Sequence, residues 1–457
     1  MRSETTQVVE VEYQIILVQP DSRRILAMER GGTYHLPLIS IPQGARRAKE
    51  LCKAVLVAWD LYILVLDILM DEISSCCCVI AEVLLPVAES QLTPVSLEMI
   101  AECELTRSQR TQIVSVLSST NADFFSKIGW IDQALEWLEV ETGTTVASRE
   151  RITQYGAGGG ASLVCFQTVE GQNYWLKATG DQNRHELAIT VRLSELGGAY
   201  LPPMIASRPD WNAWLMSGEA IAIEEMPREP LELCLLLEDA VESMAKLQVS
   251  AVGHSDDLLG AGAFDQNLGI FERYADELFD YLGEAMALQT STKAPLLDNS
   301  RLQEMRIILG ATCRQMKSLE LPLTIVHGDL NCSNILVGHE HCVFIDWCEA
   351  CVGSPLITLQ HLLLLNRAEN SELRGFIEKM LKEKYKKVWQ THCDPAAMEE
   401  GLLYMPLLAA MSSLYGRGDW LKTSQRDNPH CQRYARIVAR HMDRAARAPE
   451  LLEAFRS

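Results

Sequence analysis

Between Leu323 and Glu349 three short apolar runs are each bounded by a polar residue of a particular kind. Leu323-Thr324-Ile325-Val326 stops at His327-Gly328-Asp329. Ile335-Leu336-Val337 begins directly after Asn334, and Val343-Phe344-Ile345 stops at Asp346. Runs this short, rich in β-branched residues and broken by Gly, Asn and Asp, read as strands, and the polar turn Gly338 to His341 closes the last two into a hairpin. A hairpin of this kind holds Asp329, Asn334 and Asp346 close together in space. Asp and Asn are also ordinary turn residues. Three of them at the ends of three apolar runs form something more specific: two carboxylates and an amide oxygen, hard donors suited to Mg²⁺.

Phosphoryl transfer uses such a set. One Asp accepts the proton of the substrate hydroxyl, an Asn a few residues later holds metal, and a later Asp bridges the metal to the nucleotide phosphates. The stretch resembles the loop of the aminoglycoside phosphotransferase and choline kinase-like family, H-G-D-x-x-x-x-N followed by I-D-[WF]. The matching residues are His327, Gly328, Asp329, Asn334, Ile345, Asp346 and Trp347. Protein kinases use a related H-R-D loop followed by D-F-G. Gly328 and Trp347 in place of the Arg and Phe point to the small-molecule branch. The resemblance implies an α+β, bilobal protein-kinase-like fold, with a β-rich nucleotide lobe and a helical substrate lobe. It implies Asp329 as catalytic base, Asn334 and Asp346 as metal ligands, ATP and Mg²⁺ as cofactors, and a small-molecule hydroxyl as acceptor. His327 is expected to brace the loop. A nucleotide-binding pseudokinase or sensor is the alternative reading.

Upstream, Gly156-Ala157-Gly158-Gly159-Gly160-Ala161-Ser162 joins two strand-like segments. Without Cβ atoms such a loop lets backbone N–H groups approach phosphate oxygens. Gly158, Gly159, Gly160 and Ser162 are therefore candidate nucleotide contacts. Lys177 follows in an apolar strand at the distance expected of a phosphate-binding lysine, and Glu186 opens a helix nine residues later, in position to pair with it. Both fit the family's K-A…E-x-x-x-[TV] pattern at Lys177, Ala178, Glu186 and Thr190. Met216-Ser217-Gly218-Glu219 falls where the resemblance places the interlobe hinge, making Ser217 and Glu219 candidate adenine contacts. Trp130 and Trp137 share a helix face and read as core.

The first 120 residues run strand-hairpin, Pro-Gly loop, helix, strand, an order similar to a Nudix hydrolase domain. A working Nudix box needs its R-E-x-x-E-E carboxylates to hold metal. Glu50 stands at the right distance from Gly44, but Val57-Ala58-Trp59 occupies the R-E core. The domain is expected to be a degenerate, non-catalytic Nudix-like or other α/β accessory unit. The expected division is 1–120, a nucleotide lobe with a leading helix at 121–220, and a helical catalytic and substrate lobe at 221–457.

The rest of the substrate lobe reads as helical. Glu349 reads as a structural acid. Asp419 and Trp420 are candidates for the acceptor site, and five arginines between Arg433 and Arg447 read as a solvated basic face. Among 457 residues, 61 acidic against 41 basic side chains leave a net charge of −20. That surface argues against nucleic acid or anionic membrane as partner and mildly favours a cationic acceptor. The 14 cysteines show no C-x-x-C pair. Together with a polar N-terminus and no long uninterrupted apolar run, this is the pattern of a reduced, cytoplasmic protein.

Overall fold

The computed structural model describes residues 9–44, 46–69, 77–85, 91–120, 124–158, 161–219, 221–226, 229–365 and 371–455. Two compact units emerge. The first comprises residues 1–187 and 203–219, the second residues 188–202 and 220–457.

The first unit holds two sheets. Strands β1 (Glu10–Val18), β2 (Ile25–Arg30), β3 (Thr33–His35), β4 (Leu38–Pro42), β5 (Ile63–Leu69), β6 (Cys77–Val83) and β7 (Thr93–Val95) form a mixed sheet with main order β3-β2-β1-β6-β5. The central strands are apolar on both faces because both faces are covered. Ile15 and Leu17 of β1 pack with Leu51 and Val55 of helix α1 (Arg47–Trp59). Ile16 and Val18, pointing the other way, join Ile113 and Val116 of α2 (Arg107–Leu117) and Trp130 and Leu138 of α3 (Trp130–Thr142). Helix α1 ends where Asp60 turns left-handed, at φ 55°.

The second sheet is antiparallel, in the order β11-β12-β10-β9-β8. Its strands are β8 (Ile152–Gly156), β9 (Ala161–Gln167), β10 (Asn173–Thr179), β11 (Met204–Arg208) and β12 (Ala213–Ser217). Val164, Phe166, Leu176 and Leu215 of this sheet lie in the same buried cluster as Ile16, Leu64, Ile80 and Trp130. This cluster draws side chains from both 1–120 and 121–220, the ranges read from the sequence as separate domains, while Ile189, Leu193 and Leu201 lie in the core of the second unit. Helix α4 (His185–Gly197) begins in this unit.

The second unit is mainly helical: α5 (Pro230–Ser250), α6 (Ser255–Gly260), α7 (Leu268–Ala287), α8 (Asn299–Ser318), α9 (Pro355–Leu365), α10 (Ser371–Trp389), α11 (Pro395–Tyr415), α12 (Thr423–Arg426), α13 (Pro429–Ala446) and α14 (Pro449–Ala454). Two three-stranded sheets are set into it. One has the order β13 (Ile221–Ala222), β16 (Ile335–Val337), β17 (Cys342–Phe344), and the other β14 (Phe264–Asp265), β18 (Cys351–Gly353), β15 (Thr324–Val326).

Three local expectations change here. Trp420 is 5% exposed and stacks on Tyr281 at 5.7 Å between ring centres, so it is core, not acceptor site. Asp419 pairs at 2.8 Å with Lys422, three residues on. The arginines of α13 are only partly a solvated face: Arg436 donates to the Ala285 carbonyl at 3.0 Å and Arg440 to the Gln289 side chain. They close the C-terminal end of α7, where carbonyls lack helical partners and cations are favoured. The buried cysteines behave as small apolar groups. Burial pushes Cys52 and Cys342 up to about 12.

Candidate active site

The catalytic-loop residues belong to the second unit. Strand β15 ends at Val326 and β16 begins at Ile335, and the eight residues between include the candidates Asp329 and Asn334. Asn334 is 7% exposed; its Nδ2 donates to the Asp329 carbonyl at 2.9 Å and to Asp329 Oδ2 at 3.3 Å. Asn331 Nδ2 donates to the other carboxylate oxygen at 3.0 Å. Amide donors thus fix the plane of the Asp329 carboxylate. With its nitrogen engaged, Asn334 has its carbonyl oxygen to offer a cation.

Asp346 follows β17 in the left-handed region, at φ 68°. A non-glycine residue there costs roughly 1–3 kcal/mol and persists only where the surroundings impose it. Two contacts do so. His327, fully buried, places Nε2 2.9 Å from the Ile345 carbonyl and lays its ring 4.5 Å from that of Trp347. Gly328, at φ +82°, lies so close to the chain after Asp346 that a Cβ would fall 2.4 Å from the Glu349 carbonyl oxygen. The residues flanking Asp329 and Asp346 are thereby pressed together, and this is why a glycine occupies position 328. Glu349 pairs with Arg417 at 2.9 Å, and Arg417 also donates to the Cys348 carbonyl at 2.9 Å, so the acid helps tie this loop down.

The loop is also held from beneath. Gln248, fully buried on α5, donates to the Ile325 carbonyl at 2.9 Å and to Thr358 Oγ1 at 3.1 Å, and its own Oε1 accepts from Tyr385 at 2.5 Å. Thr358 Oγ1 in turn accepts the His327 N–H at 3.3 Å. Periodicity alone carried no signal for this network, because its members lie on four elements.

The phosphate-binding candidates belong to the first unit. Lys177 sits on β10, flanked by β9 and β12, and its Nζ lies 2.5 Å from Glu186 Oε1. The lysine side chain is 11% exposed and the glutamate 1%. Of the glycine loop, Gly158 takes φ +75°, while Gly159 and Gly160 lie outside the described residues. Ser162 is buried, its Oγ turned toward Gly156 O and Gln154, each at 3.4 Å. Ser217 is half-buried at the end of β12 and Glu219 is exposed. Trp175, two residues before Lys177, shares that strand face, and its indole N–H donates to the Gly218 carbonyl at 3.1 Å.

Among the described residues no cluster of three or more His, Cys, Asp or Glu could hold a metal ion. Asp346 and Asn334, one carboxylate and one amide, are the candidate ligands, of the donor type Mg²⁺ accepts, since it takes one or two protein oxygens and fills its octahedron from phosphates and water.

This set of residues lies within a recognisable domain. Residues 158–385 match the model of a phosphotransferase enzyme family. The match spans Lys177, Glu186, Asp329, Asn334 and Asp346. Among solved structures, the chain is similar to a choline/ethanolamine kinase family protein from Mesorhizobium loti, with 17% identity over 71% of this chain and 99% of that one, at a TM-score of 0.44. It is similar also to the macrolide 2′-phosphotransferase MphH from Brachybacterium faecium, with 14% identity over 67% and 97% and a TM-score of 0.46. The ethanolamine kinase of Plasmodium vivax shows 13% identity over 77% and 97%, with a TM-score of 0.43. No curated protein matches the sequence. Among the described residues no helix is long and apolar enough to cross a membrane.

Proposed function

We propose that the protein transfers the γ-phosphoryl group of ATP to a hydroxyl of a small molecule, with Mg²⁺. The observation that carries this reading is the family match, which contains every charged residue of the candidate site. Asp329 accepts the acceptor's hydroxyl proton, its carboxylate held in plane by Asn331 and Asn334. Lys177, set in direction by Glu186, binds phosphate oxygens. Asn334 and Asp346 would hold Mg²⁺, which when bound neutralises charge on the transferring phosphoryl group. Positioning and electrostatics supply most of the rate enhancement in such a reaction.

The acceptor is proposed to be cationic, in keeping with the net charge of −20. Residues 1–120 are proposed to be non-catalytic whatever their ancestry. Glu50 in the would-be metal box lies 3.9 Å from Lys53, and Val57, Ala58 and Trp59 supply no carboxylate.

The test is ATP turnover with Mg²⁺ across amino alcohols, aminosugars and neutral sugars. Phosphorylation of a hydroxyl, abolished in Asp346→Asn, is expected. Mg·ATP binding with no turnover on any acceptor would instead make the protein a nucleotide sensor.

A further inference from the structure

Strands β5 and β8 are the outer strands of their two sheets, and unpaired edges of this kind need partners or cover. Here one side chain joins them. Gln154 of β8 is 2% exposed and lies against the backbone of Val65 in β5. The Val65 N–H donates to Gln154 Oε1 at 2.7 Å, and Gln154 Nε2 donates to the Val65 carbonyl at 2.9 Å. The side-chain amide therefore behaves as one extra rung of a β-ladder. Both strands depart from regular register at this point, β5 between Val65 and Asp67 and β8 between Gln154 and Gly156.

The contact continues into the glycine loop. Gly158 rests on Ile68 of β5 so closely that a Cβ would meet Ile68 N, Cβ and Cγ1, each at 3.1 Å. Ala157 packs into the cluster beneath α1. Tyr155 is held between Lys49 of α1, whose Nζ is 4.5 Å from the ring centre, and Trp175, 4.9 Å away. Gln154 Nε2 also reaches Ser162 Oγ at 3.4 Å, so one residue touches both ends of the loop.

A glycine loop admits phosphate because it lacks side chains, and for the same reason it has little with which to hold itself in place. Its accuracy must come from what it rests on. An accessory domain on a tether would supply no edge-to-edge amide pair and no surface under Gly158. We propose that strand β5, the edge of the N-terminal sheet, is part of the nucleotide-binding machinery: through Gln154 and Ile68 it sets the position of residues 156–158, where the glycine loop begins. Gln154 is a positioning residue, acting through the loop rather than on the nucleotide. The inference rests on the phosphotransferase reading for the loop's role, but the mechanical link stands on the contacts alone.

The experiment uses the full chain and three variants. Gln154→Leu removes both hydrogen bonds to Val65, and Ile68→Ala removes the surface beneath Gly158. Ile25→Ala, in β2 at three strands' remove from β5, lowers stability without touching the loop. ATP and GTP affinities are measured with Mg²⁺ by calorimetry, together with amide hydrogen exchange of the peptide covering residues 156–163. A misplacement of about 1 Å is sufficient to cost tenfold or more. Gln154→Leu and Ile68→Ala are expected to weaken nucleotide binding about tenfold and to speed exchange of that peptide, with Ile25→Ala changing neither. Wild-type affinity and exchange in Gln154→Leu would overturn the proposal, as would an equal loss of affinity in Ile25→Ala. If Gln154→Leu fails to fold, Ile68→Ala decides by the same readouts. If the wild type binds neither ATP nor GTP, the phosphotransferase reading falls, and the exchange rates alone decide whether the sheet edge positions the loop.

Discussion

Lys177 Nζ lies 2.5 Å from Glu186 Oε1, and the carboxylate side of this pair is 1% exposed. The two charges come from different elements, β10 and the first turn of α4. Burying them is costly, and the pair returns that cost only while both members are present. Lys177→Met is expected to lower unfolding free energy by about 3–5 kcal/mol, because it strands a buried carboxylate. Glu186→Gln keeps the shape and removes the charge. Because it takes this counter-charge from the Lys177 ammonium, it is expected to unfold at a lower urea concentration than the wild type, though by less than Lys177→Met because the lysine is the more exposed partner, while losing roughly a hundredfold in turnover. Urea unfolding read beside turnover separates the two effects.

Asp329 and Asp346 should fail differently. Both Asp329→Asn and Asp346→Asn are expected to lower kcat by about a thousandfold or more, with the circular dichroism spectrum unchanged. Asp329 faces the acceptor hydroxyl in the proposed reaction, so Asp329→Asn should bind ATP with Mg²⁺ as the wild type does. Asp346→Asn should lose the Mg²⁺-dependent part of that affinity. Calorimetry with and without the metal checks both.

Gly328 has no room for a side chain. Its left-handed backbone and the 2.4 Å approach to the Glu349 carbonyl oxygen mean that even a methyl group must push the loop away from the segment after Asp346. Gly328→Ala is expected to cost about 2–4 kcal/mol of stability and most of the activity. Wild-type activity and melting temperature in that variant would contradict the close approach.

Glu82 makes stability depend on pH. It lies fully buried on β6 and accepts the Gly129 N–H at 2.8 Å, at the start of α3. Burial pushes its carboxyl from 4.5 up to about 7. The folded state therefore holds a proton that the unfolded chain releases at lower pH. The resulting stabilisation is full below the unfolded value and is lost as pH rises through about 7. The span amounts to about 3 kcal/mol. Glu82→Gln keeps an acceptor for Gly129 and removes the titration. It is expected to flatten the profile and to be the more stable protein at pH 8. Urea unfolding followed by tryptophan fluorescence from pH 5 to 8, with Trp130 next to Gly129, measures this directly.

Much of the candidate site was legible because its geometry is local. Asp329 and Asn334 are five residues apart on one loop, and the hairpin of β16 and β17 is set by a four-residue turn, so short-range rules suffice. Lys177 and Glu186 were legible for a related reason, as a charge in an apolar strand must be met by an opposite charge nearby. Trp420 and the arginines of α13 misled because composition does not say which neighbour will cover a helix. Stacking on Tyr281 and capping of α7 depend on residues more than a hundred positions away.

The sequence by itself determined the chemistry on offer: which residues could take a proton, bind phosphate or hold a cation, and which strands and helices would carry them. Hydrophobic period and turn composition act over a few residues, and that is the range over which those conclusions hold. Only the tertiary structure decided that side chains from the first 120 residues share a core with the sheet that carries Lys177. Gln154 reaches across 89 positions to Val65, and Gly158 rests on Ile68. An edge strand presents the same backbone N–H and C=O groups to any partner, so its pattern of side chains cannot say which other edge will come to lie beside it. That choice is made by the packing of the whole unit.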